Sequence, residues 1–440
     1  MMGPIGQDDC NNEGEHRARR GYHMTVKFID LFAGIGGIRK GFELACEEQG
    51  LDSQCVFTSE IKPYAVEILS QNHPGEKVYG DITQIDENKI PDFDYLLAGF
   101  PCQAFSMAGK RLGFQDTRGT LFFDVARILK AKKPKGFVLE NVEGLVNHDN
   151  GRTLKVILNT LGELGYHVTA RVLNAKDFGV PQERKRIYIV GSDKECPDLN
   201  KFEPTHKYLD SILEHGLECE KSQFIDNLLK HYKIEDLLGK SIKDKRGGKN
   251  NIHSWDLEMK GKVTKRERNL LEKIMTERRK KHWADQYGID WMDGMPLTLD
   301  MIKTFCDDPE LEAMLEDLTK KGYLVKEHPK KKTESGIRIQ DESLPLGYNI
   351  VTGKMSFQVN KVLDPAAYAP TLVAMDMQHL YVPDGDGIRK LSLREGLRLF
   401  GYPDSYNFYI DEADGYDLLG NTVVVPVISA VSERVLDIYR

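Results

Sequence analysis

Residues 26–37, "VKFIDLFAGIGG", pass from a β-branched and aromatic run straight into a glycine turn. An amphipathic stretch follows, with Ile38, Phe42 and Ala45 at helical spacing. The unit reads strand, glycine turn, helix. Glycines in such a turn let a ligand approach the backbone closely, and amides at a helix start can receive an anionic group. The turn lacks a clean G-x-G-x-x-G, because Gly34 and Gly36 are followed directly by Gly37. Alone it is compatible with a nucleotide-like cofactor and shows no more than that.

The same alternation continues outward. "CVFTSE" (55–60) reads as a strand ending in an acid, and "PYAVEILSQNH" (63–73) as a helix with proline in its first turn. "VYGDI" (78–82) and "DYLLAGF" (94–100) read as short strands, "TLFFDVARILKAKKP" (120–134) as a helix and "GFVLENV" (136–142) as a strand. "GRTLKVILNTLGELG" (151–165) is helical in pattern, and "HVTARVLNA" (167–175) and "RIYIVGS" (186–192) are strand-like. Strands alternating with helices predict an α/β fold with a doubly wound, mostly parallel sheet, in which ligands bind beyond the carboxyl ends of the strands. Gly34 to Gly37, Glu60, Asp81, Pro101 with Cys102, and Glu140 all fall at such ends. Agreement among separate strand ends outweighs any one of them.

Composition bounds the remaining classes. The 440 residues are 40% hydrophobic and 29% charged, ordinary for a globular chain long enough for more than one domain. No run approaches eighteen consecutive apolar residues, so no membrane span is expected. Residues 1–23 are polar and glycine-rich, without the apolar core of a secretory signal. They read as a disordered tail, or as sequence lying ahead of a native start at Met24. The seven cysteines form no Cys-x-x-Cys pair, which argues against a disulfide framework and a zinc site and for a reducing cytoplasm. Net charge is −7, but from Lys245 to Lys281 there are 13 Lys/Arg against 5 Asp/Glu. That run is a solvated helix face or a phosphate-contacting surface. Within it Leu270, Leu271, Ile274 and Met275 could form one apolar stripe.

Several residues then stand out chemically. Glu60, about 25 residues beyond the glycine turn, suits a carboxylate bridging ribose hydroxyls; the competing reading is a surface acid beside a helix start. Cys102 is either a small inert core residue or a presented nucleophile. The hydrophilic loop after it, "QAFSMAGKRLGFQDTRG", favours the second reading, and Lys110, Arg111 or Arg118 would favour the thiolate. Glu140 is a loop or cap acid, or a buried carboxyl able to donate a proton or hydrogen bond to a substrate. Arg184 and Arg186, two apart on entering a strand, are expected to share a face that suits phosphate or carbonyl oxygens.

Taken together, "FIDLFAGIGG", "GFPCQAFSMAGKRLGFQDTRGTLFFD", "ENVEGL", "QERKRIYIVG" and "LLGNTVVVPVI" resemble, in order, the motifs of the DNA cytosine-5 methyltransferase family. The resemblance covers about Phe28 to Ser192 and about Arg389 to Ile428. It implies S-adenosylmethionine as methyl donor, S-adenosylhomocysteine as product, and Cys102 attacking carbon 6 of a cytosine flipped from duplex DNA. Glu140 would hold ring nitrogen 3 and the exocyclic amine, and Arg186 with Arg184 would contact the base oxygen or an adjacent phosphate. The donor would meet Phe32, the Ile35–Gly36–Gly37 turn, Glu60, Ile61, Asp81, Ile82, Pro101 and Leu121, closed by Asn421 and Val423. Ile61 departs from the aromatic or other bulky residue common beside the acid. DNA contacts would come from Gln103, Ser106, Thr371 and Leu372. No metal is implied.

The domains expected are the tail 1–23, a cofactor-binding and catalytic domain 24–200, a smaller target-recognition domain 201–409, and a segment 410–440 returning to the catalytic domain. A cytoplasmic monomer acting beside a cognate restriction endonuclease fits this picture. A tRNA cytosine methyltransferase, a silent DNA-binding regulator and a nicotinamide oxidoreductase are the competing readings. The long 201–385 segment, the complete motif set, and Cys102 with the two arginines count against them in turn.

Overall fold

The computed structural model describes residues 25–101, 121–245, 247–289, 294–333, 337–352 and 357–440. Cys102, Gln103, Ser106 and the tail 1–23 lie outside the described residues. The chain divides into two compact units, one formed by residues up to 174 with 185–204 and 422–440, the other by 175–184 with 205–421. The second unit therefore claims 175–184 and reaches 421, beyond the sequence-based limits of 201 and 409.

The first unit is built on one seven-stranded sheet in the order β3-β2-β1-β4-β5-β7-β6. The strands are β1 (Val26–Leu31), β2 (Ser53–Ser59), β3 (Val78–Tyr79), β4 (Tyr95–Gly99), β5 (Gly136–Val142), β6 (His167–Asn174) and β7 (Lys185–Ser192). β1 to β5 run parallel, and β7 is antiparallel to both its neighbours. Helices α1 (Gly37–Glu48), α2 (Pro63–Asn72), α3 (Leu121–Lys132) and α4 (Arg152–Glu163) connect them. The chain winds from β1 outward to β3, then crosses to β4 on the other side of β1. The strand order thus reverses between β1 and β4, where doubly wound sheets bind ligands.

Both faces of the sheet are covered, as parallel strands require. Ile29, Leu31, Leu96, Ala98, Phe137 and Leu139 join Val125, Leu129, Ile157 and Leu161 of α3 and α4 in one buried cluster. On the opposite face Phe28 and Tyr95 meet Phe42 of α1, with ring centroids 5.0 and 5.4 Å apart along the chain of three. The C-terminal helix Val425–Leu436 lies against α1 there. Gly41 permits that approach: a Cβ on it would stand 2.5 Å from Ile428 Cβ. The apolar stretch Glu412–Tyr439 is long enough by composition to cross a membrane, but 72% of its most apolar window is buried inside the protein and the helix breaks before Val425. A core helix accounts for it.

In the second unit, Trp255, Leu270, Leu271, Ile274 and Met275 anchor one core, which confirms the apolar stripe of helix Lys265–Glu277. That helix begins with a capping box between Thr264 and Glu267. Several cations of the basic run are held within the unit. Arg266 pairs with Asp308 and Glu310, Arg268 with Asp256, and Lys280 with Glu277, while Arg278 is buried and donates to Asn349 Oδ1.

Candidate active site

The glycine turn after β1 is conformationally unusual. Gly34 and Gly36 have φ of 54° and 75°, as glycine allows, but Phe32 also sits at 56°. A bulky side chain in the left-handed region costs about 1–3 kcal/mol and marks a place where the surroundings impose the geometry. Gly36 precedes α1 with no side-chain cap, and α1 carries no acid in its first turn. The helix start thus offers amide dipoles to an anion. Ile35 beneath it is buried, as are Gly36 and Gly37.

Glu60, at the carboxyl end of β2, holds this turn. Its Oε2 accepts from Gly34 N at 2.7 Å, and its Oε1 accepts from Ile61 N at 2.7 Å and Lys62 N at 2.8 Å. Oε2 keeps lone-pair capacity for a further donor. Ile61 beside it is 69% exposed. Beyond β3, Asp81 Oδ1 accepts from Thr83 N at 3.0 Å and caps the short 3-10 turn Ile82–Gln84. The strand expected over 78–82 therefore ends at Tyr79. Ile82 is buried, so its side chain supports the turn from within the core. Pro101 is exposed at the end of β4, Leu121 opens α3 half-buried, and Val423 is buried. Asn421 ends helix Glu412–Asn421 in the second unit, where its Nδ2 donates to Asp417 O at 2.8 Å.

Beneath the turn lies a group not foreseen. Asp30 on β1 is fully buried, and neither carboxyl oxygen has a hydrogen-bond partner among the described residues. Burial pushes its pKa up to about 8; Arg39 opposes the rise, and Glu43 and Glu60 add to it. Arg39 is itself held by Glu43 at 2.7 Å and by both oxygens of Glu76 at 2.6 and 2.9 Å.

A second cluster forms where β4, β5 and β7 meet. Gly99 is in register with Glu140, and Val142 with Arg186. Arg186 Nε lies 3.2 Å from Glu140 Oε1, with both side chains mostly enclosed. Arg186 also donates to Lys185 O at 2.8 Å. Glu140 Oε2 comes within 3.8 Å of where a Cβ on Gly99 would stand, so the carboxylate lies over the end of β4. Asn141, which sequence reasoning noted but gave no role, donates from Nδ2 to Phe100 O at 2.7 Å. It ties the end of β5 to the chain just ahead of Cys102.

Two expectations change. Arg184 does not share a face with Arg186, because β7 begins at Lys185. Arg184 is buried in the second unit, donates to Leu372 O at 2.8 Å and stacks on Phe400. Leu372 is fully buried, so its side chain is closed to DNA. Thr371 remains exposed, though its hydroxyl donates to Glu183 O at 2.7 Å. Arg127 was missed altogether: it donates to Ile82 O at 2.6 Å and pairs with Glu87 and Asp124, clamping the Asp81–Glu87 segment to α3. Only its distant partners reveal that role.

Comparison with known proteins shows the family. Residues 26–437 match the family model of C-5 cytosine-specific DNA methylases. The chain is 66% identical over 421 residues to the Type II methyltransferase M.NlaIV of Neisseria lactamica, covering 94% of this chain and 99% of that protein. It is 64% identical to the Type II methyltransferase M.NgoBV of Neisseria gonorrhoeae, at 94% and 99% coverage. Among solved structures, the methyltransferase EhMeth of Entamoeba histolytica shares the fold, with a TM-score of 0.50 at 16% identity over 94% of this chain and 99% of that one. The chain belongs to the C-5 cytosine-specific DNA methylase family, among the Type II methyltransferases, and its reaction is methylation of cytosine carbon 5 in DNA.

Proposed function

We propose that the chain methylates a cytosine turned out of a specific duplex sequence, with Cys102 as nucleophile and S-adenosylmethionine as donor. The Arg186–Glu140 pair over the end of β4 is the observation that supports this most. It sits one residue pair from Phe100, at the strand end that leads to Cys102.

The residues fit that donor. The uncapped start of α1 suits an amino-acid carboxylate, Glu60 retains acceptor capacity for a ribose hydroxyl, and exposed Ile61 offers an apolar surface to an adenine ring. Asp81, Pro101 and Leu121 line the same strand ends. When bound, the donor supplies an electrophilic methyl group on a sulfonium and leaves as S-adenosylhomocysteine.

Cytosine carbon 5 is a poor nucleophile while the ring is aromatic. Addition of the Cys102 thiolate to carbon 6 breaks that aromaticity and makes carbon 5 enamine-like. Glu140 would hold ring nitrogen 3 and the exocyclic amine as electron density moves through the ring, and Arg186 would orient Glu140 and meet the base oxygen. Once carbon 5 is methylated, loss of its proton and departure of Cys102 restore the ring.

In the cell we read the chain as the cytoplasmic, monomeric modification partner of a restriction endonuclease. Labelled-donor assays test the substrate: methyl transfer to duplex DNA and none to tRNA is expected, and the reverse pattern overturns the reading. Duplex containing 5-fluorocytosine should trap a covalent adduct that Cys102→Ser abolishes; trapping by that variant would remove Cys102 from its role.

A further inference from the structure

Strands β6 and β7 are antiparallel neighbours in the first unit's sheet, yet the residues that join them, 175–184, belong to the second unit. A hairpin needs only about two to five residues to turn, and connecting loops ordinarily lie exposed. This one is buried at Val180, Gln182 and Arg184, and it is held along its length. Gly179 N donates to Thr205 O at 2.7 Å, and Thr205 N donates to Asp177 O at 2.9 Å. Ala369 N donates to Pro181 O, and Glu183 N to Ala369 O, each at 2.8 Å. Gln182 Nε2 donates to Leu399 O at 3.1 Å. The last hold is Arg184. Its Nη1 donates to Leu372 O at 2.8 Å, and its guanidinium carbon stands 5.2 Å from the centre of the Phe400 ring. Leu372, Leu399 and Phe400 are fully buried, so the loop is fastened to core and not to movable surface.

Arg184 ends this loop, and β7 begins at the next residue. Ala175 N donates to Arg184 O at 2.9 Å and closes the loop on itself. Two planar peptide links, about 7 Å of extended chain, separate Arg184 from Arg186. So short a link has little slack, and the place where Arg184 is held sets where Arg186 begins its reach. Arg186 stands in register with Val142 on one side and Leu173 on the other, and its Nε lies 3.2 Å from Glu140 Oε1. For folding alone, a well-packed apolar side chain would serve at position 184 at least as well as a buried cation. A planar guanidinium that stacks and donates in fixed directions suits a part that fixes position.

We propose that Arg184 is a positioning residue for methyl transfer. It anchors the start of β7 in the second unit's core, and through two peptide links it sets the direction from which Arg186 holds Glu140. On this reading Arg184 acts through Arg186 and not on the base or a phosphate. The proposal rests on the catalytic reading of Glu140 and Arg186 above.

Arg184→Met keeps an apolar stem and removes the donor and the charge. Single-turnover methyl transfer at saturating donor and duplex should fall by up to about 100-fold, with trapping of the 5-fluorocytosine duplex slowed alongside it. Duplex affinity across a salt series should keep its wild-type value and slope, because no phosphate contact is lost. Arg184→Lys restores a donor without the planar stack and should recover part of the rate. Phe400→Leu removes only the stack and should lose part of it. Leu271→Ala, in the separate core around Trp255, is the stability control. It should lower the melting temperature at least as much as Arg184→Met and leave transfer at saturation unchanged. A loss of rate in step with melting temperature in that control would make the Arg184 effect one of stability and overturn the proposal. Wild-type transfer by Arg184→Met would overturn it too. So would weaker duplex binding with a salt slope shallower by about 1, which would make Arg184 a phosphate ligand. If Arg184→Met does not fold, wild-type rates in both Arg184→Lys and Phe400→Leu overturn it. Failure of the catalytic reading appears elsewhere, as a wild-type chain that binds duplex yet neither transfers methyl nor traps 5-fluorocytosine.

Discussion

Arg186 Nε lies 3.2 Å from Glu140 Oε1, across the antiparallel pairing of β7 with β5. The two side chains orient each other at the end of the sheet from which the chain leads on to Cys102. A carboxylate held this way has its direction set by the guanidinium. Glu140→Gln retains the shape and removes the charge and the proton. Methyl transfer should fall by about 10²–10⁴-fold, as for loss of a positioned acid–base group, while duplex binding stays near wild type. Single-turnover transfer beside a binding isotherm checks this. Equal losses in both would make Glu140 a binding residue.

Glu60 joins two jobs: it holds the glycine turn through Gly34 N and presents an acceptor toward the switch point. Glu60→Ala removes charge-assisted bonds that contribute about 1.5–3 kcal/mol each. Calorimetric binding of S-adenosylhomocysteine should therefore weaken at least tenfold, with the affinity for duplex DNA much less affected. Unchanged cofactor-product affinity would leave Glu60 a purely structural acid.

Asp30 makes a prediction about pH. Its folded pKa is about 8, against an ordinary value of 3.8. The folded state thus holds a proton that the unfolded state releases, and this contribution is complete below about pH 4 and lost as pH rises toward 8. The loss is up to about 1.4 kcal/mol for each pH unit within that interval. Asp30→Asn keeps a neutral group of similar shape. Its melting temperature should fall less than that of the wild type between pH 6 and 9, as scanning calorimetry would show. Parallel curves would mean that Asp30 ionises inside the fold without cost.

Much of the first unit is legible in its sequence because short continuous apolar runs and glycine stops mark strands of a sheet buried on both faces. The site residues at strand ends follow from that alternation. What escaped depends on partners distant in the chain. The shared face expected for Arg184 and Arg186 fails because the alternation rule applies only inside a strand, and β7 starts between them. Two arginines of the 265–277 helix are held by Asp308, Glu310 and Asp256, partners that no local count of the run includes. "VYGDI" looks extended until the Asp81 side chain turns back on Thr83 N. Arg127 and Asn141 have ordinary sequence surroundings, and only their acceptors, Ile82 O and Phe100 O, show what they hold.

Asn141 gives the last test. It is buried, its Nδ2 donates to Phe100 O at 2.7 Å, and its Oδ1 accepts from Val142 N at 2.8 Å. Truncation to alanine leaves a carbonyl and an amide unsatisfied, at a cost of about 1–3 kcal/mol for each buried group. Its bond to Phe100 O makes Asn141 a candidate positioning residue for the segment that leads to Cys102. Asn141→Ala should therefore lower kcat at saturating donor and DNA, with KM for the donor changed less than kcat, and should slow the trapping of 5-fluorocytosine duplex. Thermal melts run alongside separate this from general destabilisation. If the variant melts several degrees lower yet traps the duplex at the wild-type rate, the Asn141–Phe100 bond serves the fold and not the nucleophile.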